Sequence, residues 1–101
     1  METIKTLSIF FSAVLKDHRI GPFHVSIYSA LLHYRATHGF VNPLGVFSYD
    51  IMPIAKIYSD KTYHKCLRQL FEYGYLHYEP SFKKNQASKI YLILEKEINY
   101  G

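Results

Sequence analysis

The chain has 101 residues, about half of them apolar and 17% aromatic, so it is long and hydrophobic enough to fold as one domain with a buried core. This composition excludes an intrinsically disordered chain. Its 12 lysines and arginines exceed its 8 acidic residues, which gives a formal net charge of +4. The single cysteine, Cys66, excludes an intrachain disulfide and fits a reducing, cytoplasmic compartment.

The N-terminal segment, from Thr3 to about Asp17, is predicted to form an amphipathic helix. Its apolar seam consists of Ile4, Leu7, Phe11, Val14 and Leu15. We expect neither a signal peptide nor a membrane span here. Charged residues follow the apolar run of residues 7–15 at once, and a membrane span needs about 20 residues.

This helix also carries apolar residues away from its seam, namely Ile9, Phe10 and Ala13. Exposed apolar surface of this extent is uncommon on monomers, so we predict a homodimer that pairs through the N-terminal helix. The alternative is that the helix folds back against the sheet of its own domain. Residues 90–94 are compatible with this alternative, because they place apolar side chains on both faces of a strand.

The next segment is predicted to be a helix from about Phe23 to His38. Pro22 suits the first turn, where its missing N–H costs nothing, and Gly39 ends the helix. The core stripe of this helix consists of Val25, Tyr28, Leu31 and Leu32. The segment therefore provides a central helix of the core.

A short strand at residues 46–47 and a further helix over about residues 51–57 are predicted to follow. Pro53 lacks an N–H and is therefore tolerated only in the first turn of a helix. We accordingly predict Asp50 as the N-cap. A cap at Ser48 would place Pro53 deeper and distort the helix.

The stretch from Ser59 to Gly74 is predicted to be a helix over about residues 60–73. Ser59 is a favoured N-cap, and Gly74 supplies the left-handed residue that often follows a helix. The apolar residues recur at the spacing of one buried stripe: Tyr63, Cys66, Leu67, Leu70 and Phe71. The basic residues project elsewhere: Lys61, His64, Lys65 and Arg68. One side of this helix is therefore predicted to pack, and the other is available to phosphates or bases.

The remainder of the chain is predicted to form a hairpin. Residues 75–78 and 89–94 are apolar and aromatic runs that favour strands, and residues 81–88 form a polar loop between them. The C-terminal half is thus a helix, a strand, a basic loop and a second strand.

This order of elements resembles winged helix-turn-helix DNA-binding domains. The stretch from Thr62 to Leu76, with its Leu70-x-x-x-Gly74-Tyr-Leu ending, is similar to their recognition helix and first wing strand. Small bacterial regulators, plasmid replication initiators and mobile-element proteins share this layout, and the sequence Thr62-Tyr-His-Lys-Cys66 especially resembles the mobile-element type. The resemblance covers roughly residues 21–94.

The resemblance implies a single α+β, mostly helical domain. Its fold would be a winged helix-turn-helix with an extra N-terminal helix in residues 1–20 and a two-stranded C-terminal wing. Residues 95–101 would form a tail.

The net charge of the chain lies in the segment from Lys61 to Lys89. This segment has six basic and two acidic residues, whereas the rest of the chain has six of each sign. Such a concentration is expected where a protein neutralises a phosphate backbone. An ordinary solvated face is the alternative explanation.

A recognition helix that enters the major groove by its N-terminal half would bring several side chains to base edges or flanking phosphates: Lys61, Thr62, His64 and Lys65. Arg68, one turn further on, would bind a guanine or a phosphate. Ser59 and the free N–H groups at the helix start are phosphate candidates. The Asp60 carboxylate would repel a nearby phosphate. Its role could instead be to interact favourably with the helix dipole or to accept a hydrogen bond from a cytosine amine. The wing residues that would follow the backbone or enter the minor groove are Lys83, Lys84, Asn85 and Gln86.

The sequence indicates no other chemistry. The histidines at 18, 24, 33, 38, 64 and 77 form no metal-binding signature, and we predict neither a cofactor nor catalysis. We therefore predict a sequence-specific double-stranded DNA-binding protein that acts as a transcriptional regulator or accessory factor. The alternatives are a winged-helix module for protein interaction or architecture, and a fragment of a nucleic-acid enzyme.

Overall fold

The computed structural model describes residues 2–83 and 85–93. Within them the elements follow in the order α1 (Glu2–Val14), α2 (Pro22–Thr37), β1 (Leu44–Val46), α3 (Ser48–Ala55), α4 (Asp60–Glu72), β2 (Leu76–Glu79) and β3 (Ser88–Leu92). The strands form one antiparallel sheet in the order β1-β3-β2. The predicted α+β class is therefore confirmed, with helices making up about half of the chain.

One hydrophobic core lies between α2, α3, α4 and the sheet. Each of these elements contributes side chains that are almost completely buried: Ile27, Leu31, Leu44, Ile51, Tyr63, Leu67, Leu70, Leu76 and Ile90. Helix α4 contacts α2, α3 and β2. The core therefore holds α4 against the helices α2 and α3 and against the sheet.

Helix α2 is confirmed, and each of its ends lies one residue earlier than predicted. The stripe residues Tyr28, Leu31 and Leu32 are buried, whereas Val25 is half-buried at the border of the core. The chain leaves the helix through Gly39, whose φ of +78° is a conformation that favours glycine.

The strands are confirmed with shifted ends. The predicted strands cover residues 46–47, 75–78 and 89–94. The observed strands are Leu44–Val46, Leu76–Glu79 and Ser88–Leu92. The central strand, β3, pairs Ile90 with Leu44 on one side and with Tyr78 on the other. Residues 94–101, which include the end of the predicted strand and the predicted tail, lie outside the described residues.

The predicted N-cap of α3, Asp50, is wrong, because the helix already begins at Ser48 and its N-cap is Phe47. Asp50 lies within the first turn, where its carboxylate accepts a hydrogen bond of 2.9 Å from the Phe47 N–H. A carboxylate can satisfy the start of a helix from inside the first turn as well as from the cap position.

Pro53 consequently lies inside α3 and beyond its first turn. It has no N–H to donate to the carbonyl of Tyr49 one turn earlier. The helix ends shortly afterwards at Ala55, and Lys56 adopts a left-handed conformation with φ of 61°. The helix is therefore short, and a tight turn leads into α4.

Helix α4 has the predicted caps, but one of the five residues predicted to be buried is exposed. The Ser59 Oγ accepts a hydrogen bond of 3.2 Å from the Thr62 N–H, and Gly74 has a φ of +91°. The buried residues are Tyr63, Cys66, Leu67 and Leu70. Phe71, in contrast, is 39% exposed, because it lies at the edge of the stripe and its ring packs edge-on against His77 of β2.

Helix α1 packs on its own domain through Phe10, which we had placed outside the seam. The Phe10 ring stacks on Tyr28 of α2 at 3.9 Å between ring centroids and meets the Tyr75 ring edge-on at 5.4 Å. Leu7 and Val14 are partly buried and pack against the border of the core. The side of α1 that meets the domain is therefore rotated from the predicted one.

The other residues of the predicted seam are exposed. Ile4, Phe11 and Leu15 have exposed fractions of 63%, 41% and 84%. The helix also ends at Val14 instead of Asp17, because its last turns tighten to three-residue hydrogen bonds such as that from the Asp17 N–H to the Val14 carbonyl. An apolar side of α1, which Leu15 continues directly after the last helical residue, thus remains open to solvent.

Candidate nucleic-acid interface

The exposed side of α4 carries the basic residues that the sequence predicted. Lys61, Lys65 and Arg68 are exposed. None of these three takes part in an ion pair within residues 2–83 and 85–93. Tyr63 and Leu67 anchor the opposite side of the helix in the core. The core therefore holds α4 in an orientation that leaves three cations facing solvent.

The start of α4 has N–H groups available to an anion. The N–H groups of Thr62 and Tyr63 are bound by the side-chain and backbone oxygens of Ser59, at 3.2 and 3.0 Å. Those of Asp60 and Lys61 precede the first helical hydrogen bond and have no acceptor within the helix. Ser59 is exposed, and its hydroxyl hydrogen remains available for donation. This helix start suits a phosphate oxygen.

His64 is half-buried and turns back towards the first residue of α4. Its Nδ1 lies 2.9 Å from the Asp60 carbonyl oxygen and 3.3 Å from the Asp60 Oδ2. Because the carbonyl only accepts, Nδ1 carries the hydrogen, which leaves Nε2 for an external partner. Asp60 is thus engaged with the imidazole of His64 and with the positive end of the helix.

The β2–β3 loop, residues 80–87, has its own internal hydrogen bonds. The Ser81 N–H donates to the Ser88 Oγ at 3.1 Å, and the Lys83 N–H donates to the Ser81 Oγ at 3.2 Å. The Gln86 N–H closes a turn onto the Lys83 carbonyl at 3.2 Å. These bonds give the described part of the loop a defined shape.

The polar side chains predicted for this loop point to solvent where they are described. Lys83, Asn85 and Gln86 are exposed, whereas Lys84 lies outside the described residues. Lys83 takes part in no ion pair with any described residue. The loop therefore presents a cation and two amides that can donate and accept hydrogen bonds.

Arg68 brings the basic side of α4 next to this loop. It lines a surface hollow of about 260 Å³ together with Phe71, Glu72, Tyr78 and Pro80. Pro80 is the first residue of the β2–β3 loop. Arg68 of α4 and the first residue of the loop therefore line the same hollow, beside the Glu72 carboxylate.

Three further exposed residues border this surface and were not predicted as site residues. Phe82 and Tyr58 have exposed fractions of 92% and 81%, and Lys89 is exposed where the loop enters β3. A lone aromatic residue in a polar loop is the sequence signal that singles out Phe82. Tyr58 directly precedes the N-cap of α4, and Lys89 belongs to the same charged segment as the predicted residues.

The interior of α4 offers no reactive group. Cys66 is 6% exposed, and burial raises the pKa of its thiol, which disfavours the nucleophilic thiolate. Burial also raises the pKa of the Tyr63 hydroxyl. The interpretation of Cys66 as a small buried hydrophobe is confirmed. Across the described ranges, no group of three or more His, Cys, Asp or Glu residues is arranged to hold a metal ion.

Comparisons of the chain with protein-family models, with curated proteins and with solved structures found no match. The function is therefore inferred from the residues of the interface. Among the helices of residues 2–83, none is long and apolar enough to cross a membrane.

Proposed function

We propose that the chain is a winged helix-turn-helix protein that binds double-stranded DNA sequence-specifically. Helix α4 is the recognition helix, and the hairpin of β2 and β3 is the wing. The order of elements supports this assignment, because α3 and α4 are joined by a short turn and followed by an antiparallel hairpin. The observation that carries the proposal is that α4 exposes three cations and that one of them, Arg68, lines a hollow that reaches the first residue of the β2–β3 loop.

In this proposal the N-terminal half of α4 reads bases in the major groove. Lys61, Thr62 and Lys65 lie on the first turns of the helix, where recognition helices contact base edges. His64 contributes through Nε2, because its Nδ1 is bound to Asp60. A protein of this kind needs neither a cofactor nor a catalytic group.

The phosphate backbone is bound at both ends of the surface. At one end, Ser59 and the free N–H groups of the first turn of α4 hold a phosphate oxygen. At the other end, Arg68 of α4 and Lys83 of the β2–β3 loop neutralise phosphates. Asn85 and Gln86 supply amide groups suited to the minor groove or to the backbone.

We also propose that two copies pair through the exposed apolar side of α1. Ile4, Phe11 and Leu15 recur at helical spacing, and pairing with a second copy would remove them from water. A two-fold axis would then place two recognition helices on half-sites about one helical turn of DNA apart. The resulting dimer would act as a transcriptional regulator or an accessory DNA-binding factor.

Selection of bound duplexes from a random pool tests the proposed function, with the mass of the free protein measured in parallel. The expected result is an enriched, palindromic site with half-sites centred about 10 base pairs apart. Failure to enrich any sequence at low salt would contradict specific DNA binding. That outcome would instead favour a winged-helix module for protein interaction.

A further inference from the structure

Phe82 has the highest exposed fraction, 92%, among the large hydrophobic residues that the structure describes. The ring leaves most of its apolar surface in water, and contact with an apolar part of a partner would remove that surface from water. The position adds nothing to the core of the fold. The ring is therefore available to a partner without any rearrangement of the domain.

The loop holds Phe82 between two anchored neighbours. The Ser81 N–H is bound to the Ser88 Oγ at 3.1 Å, and the Lys83 N–H is bound to the Ser81 Oγ at 3.2 Å. Both residues that flank Phe82 are therefore held by hydrogen bonds from their backbone N–H groups to serine hydroxyls. The aromatic ring projects from a folded part of the loop.

The surroundings of Phe82 are mostly polar and carry a net positive charge. Phe82 lines a hollow of about 310 Å³, whose lining includes two lysines, Lys83 and Lys89, and one carboxylate, that of Glu79. Neither lysine forms an ion pair with a described residue. This arrangement of one apolar ring beside two lysines suits a ligand that has a narrow apolar space between negatively charged groups.

We propose that Phe82 is a wedge that enters between two neighbouring base pairs from the minor groove and bends the DNA. This inference rests on the proposed function and adds a mechanism to it. Minor-groove proteins insert apolar side chains between base steps, which unstacks the step and kinks the duplex towards the major groove. Lys83 and Lys89 neutralise the phosphates that the bend brings close to the loop.

Double-stranded DNA fits this surface better than a protein partner does. Protein-binding patches have a broad apolar centre that excludes water, whereas the other apolar residues that line the hollow of Phe82 are the small Pro80 and Ala87. Insertion of one ring between stacked bases needs only one apolar side chain. Pyrimidine–purine steps unstack most easily, so the wedge favours such a step beneath the wing.

The test uses the full chain and a selected duplex with a fluorescent dye at each end. Energy transfer between the dyes reports the bend, and 2-aminopurine placed at successive positions reports local unstacking. The variants are Phe82→Ala, which removes the wedge, and Phe82→Leu, which keeps an apolar side chain able to insert. Phe23→Ala is the matched control, because Phe23 is a 52% exposed phenylalanine on α2.

The wild-type protein is expected to shorten the distance between the dyes and to unstack one step. Phe82→Ala should lose both signals and bind roughly tenfold more weakly, because the straight duplex forms fewer contacts. Phe82→Leu should retain part of the bend, and Phe23→Ala should behave like the wild type.

The inference is overturned if the wild type binds its duplex without a bend, or if Phe82→Ala bends it equally. A straight duplex combined with Phe82-dependent binding to vesicles of anionic lipid would also overturn it and would assign the ring to a membrane surface. If the wild type binds no duplex at all, the proposed function itself fails, which is a different result from binding without bending.

Discussion

The Nε2 of His24 and the Oε1 of Gln69 lie 2.8 Å apart, which joins the first turn of α2 to α4. The His24 Nδ1 accepts a hydrogen bond of 2.9 Å from the Gly21 N–H, so Nε2 carries the hydrogen and donates to Gln69. His24 is only 8% exposed, so water cannot easily replace this bond. The bond therefore helps to orient the helix that carries the basic surface.

Gln69→Ala is expected to destabilise the fold. The substitution leaves the buried N–H of His24 without its acceptor, which costs about 1–3 kcal/mol in the free energy of unfolding. Urea denaturation at neutral pH measures this change. Gln86→Ala is the control, because this glutamine is exposed on the β2–β3 loop and its loss should change stability by less than about 0.5 kcal/mol. Equal stabilities of the two variants would show that the bond to His24 contributes nothing.

Two substitutions of Ser59 separate its role in folding from its role in binding. Ser59→Ala removes the acceptor for the Thr62 N–H and should lower the free energy of unfolding by about 0.5–2 kcal/mol. Ser59→Asp keeps a good N-cap and should retain stability, but its negative charge should weaken DNA binding by repelling phosphate. Thermal unfolding and duplex titration measure the two effects. Undiminished DNA affinity of Ser59→Asp would contradict a phosphate at this helix start.

The sequence predicted α4 well because its signals are local. They are the N-cap Ser59, the C-terminal Gly74 and the spacing of the apolar residues between them. The prediction that Phe71 is buried was wrong. A residue at the edge of an apolar stripe is buried or exposed according to its tertiary neighbours, and the neighbour here is His77.

The orientation of α1 could not be predicted in the same way. The side that packs is determined by Tyr28 and Tyr75, which are distant in sequence and contact Phe10. The cap of α3 was wrong for a related reason. A carboxylate can satisfy the start of a helix from the cap or from within the first turn, and the position of Asp50 alone does not distinguish these arrangements.

The candidate site was predictable only as a set of charges. The segment from Lys61 to Lys89 contains the net charge, and its described cations on α4 and the loop are indeed exposed. The position of Arg68 beside Pro80 was not predictable, because it depends on how α4 packs against β2. The exposure of Phe82 likewise depends on the folded loop, since an aromatic residue in a loop often packs against the domain.

Protonation of the Asp17 carboxylate is expected to lower the free energy of unfolding at acidic pH. The Arg19 guanidinium and the Tyr75 hydroxyl bond to its carboxylate at 2.8 and 2.7 Å, and these hydrogen bonds hold the pKa of Asp17 well below its ordinary value. The stabilising contribution is therefore complete above the unfolded-state pKa of about 4 and is lost as the pH falls towards the lowered pKa.

Asp17→Asn checks this expectation through the urea midpoint between pH 7 and pH 2. The wild type should be the more stable protein at neutral pH, and its advantage should shrink steadily below about pH 4. Tyr75→Phe removes one of the hydrogen bonds and should reduce the advantage in part. A difference between the wild type and Asp17→Asn that stays constant at every pH would contradict the role given to the carboxylate.

Charges on the exposed side of α1 are expected to separate the proposed dimer. The double variant Phe11→Glu and Leu15→Glu should be monomeric by sedimentation equilibrium, because pairing would bury two carboxylates from each copy. Ile54→Glu on α3 is the control, since Ile54 is also exposed but lies on a different helix. The dimer is contradicted if the wild type is itself a monomer, or if the double variant keeps the mass of the wild-type dimer.

The salt dependence of duplex binding tests the central claim most directly. The logarithm of the association constant should fall linearly with the logarithm of salt concentration, and Lys65→Ala, Arg68→Ala and Lys83→Ala should each reduce the slope by about one. Lys5→Ala on α1 is the charge-matched control and should leave the slope unchanged. If the three variants instead bind the selected duplex with the affinity and slope of the wild type, α4 and the wing do not form a DNA-binding surface.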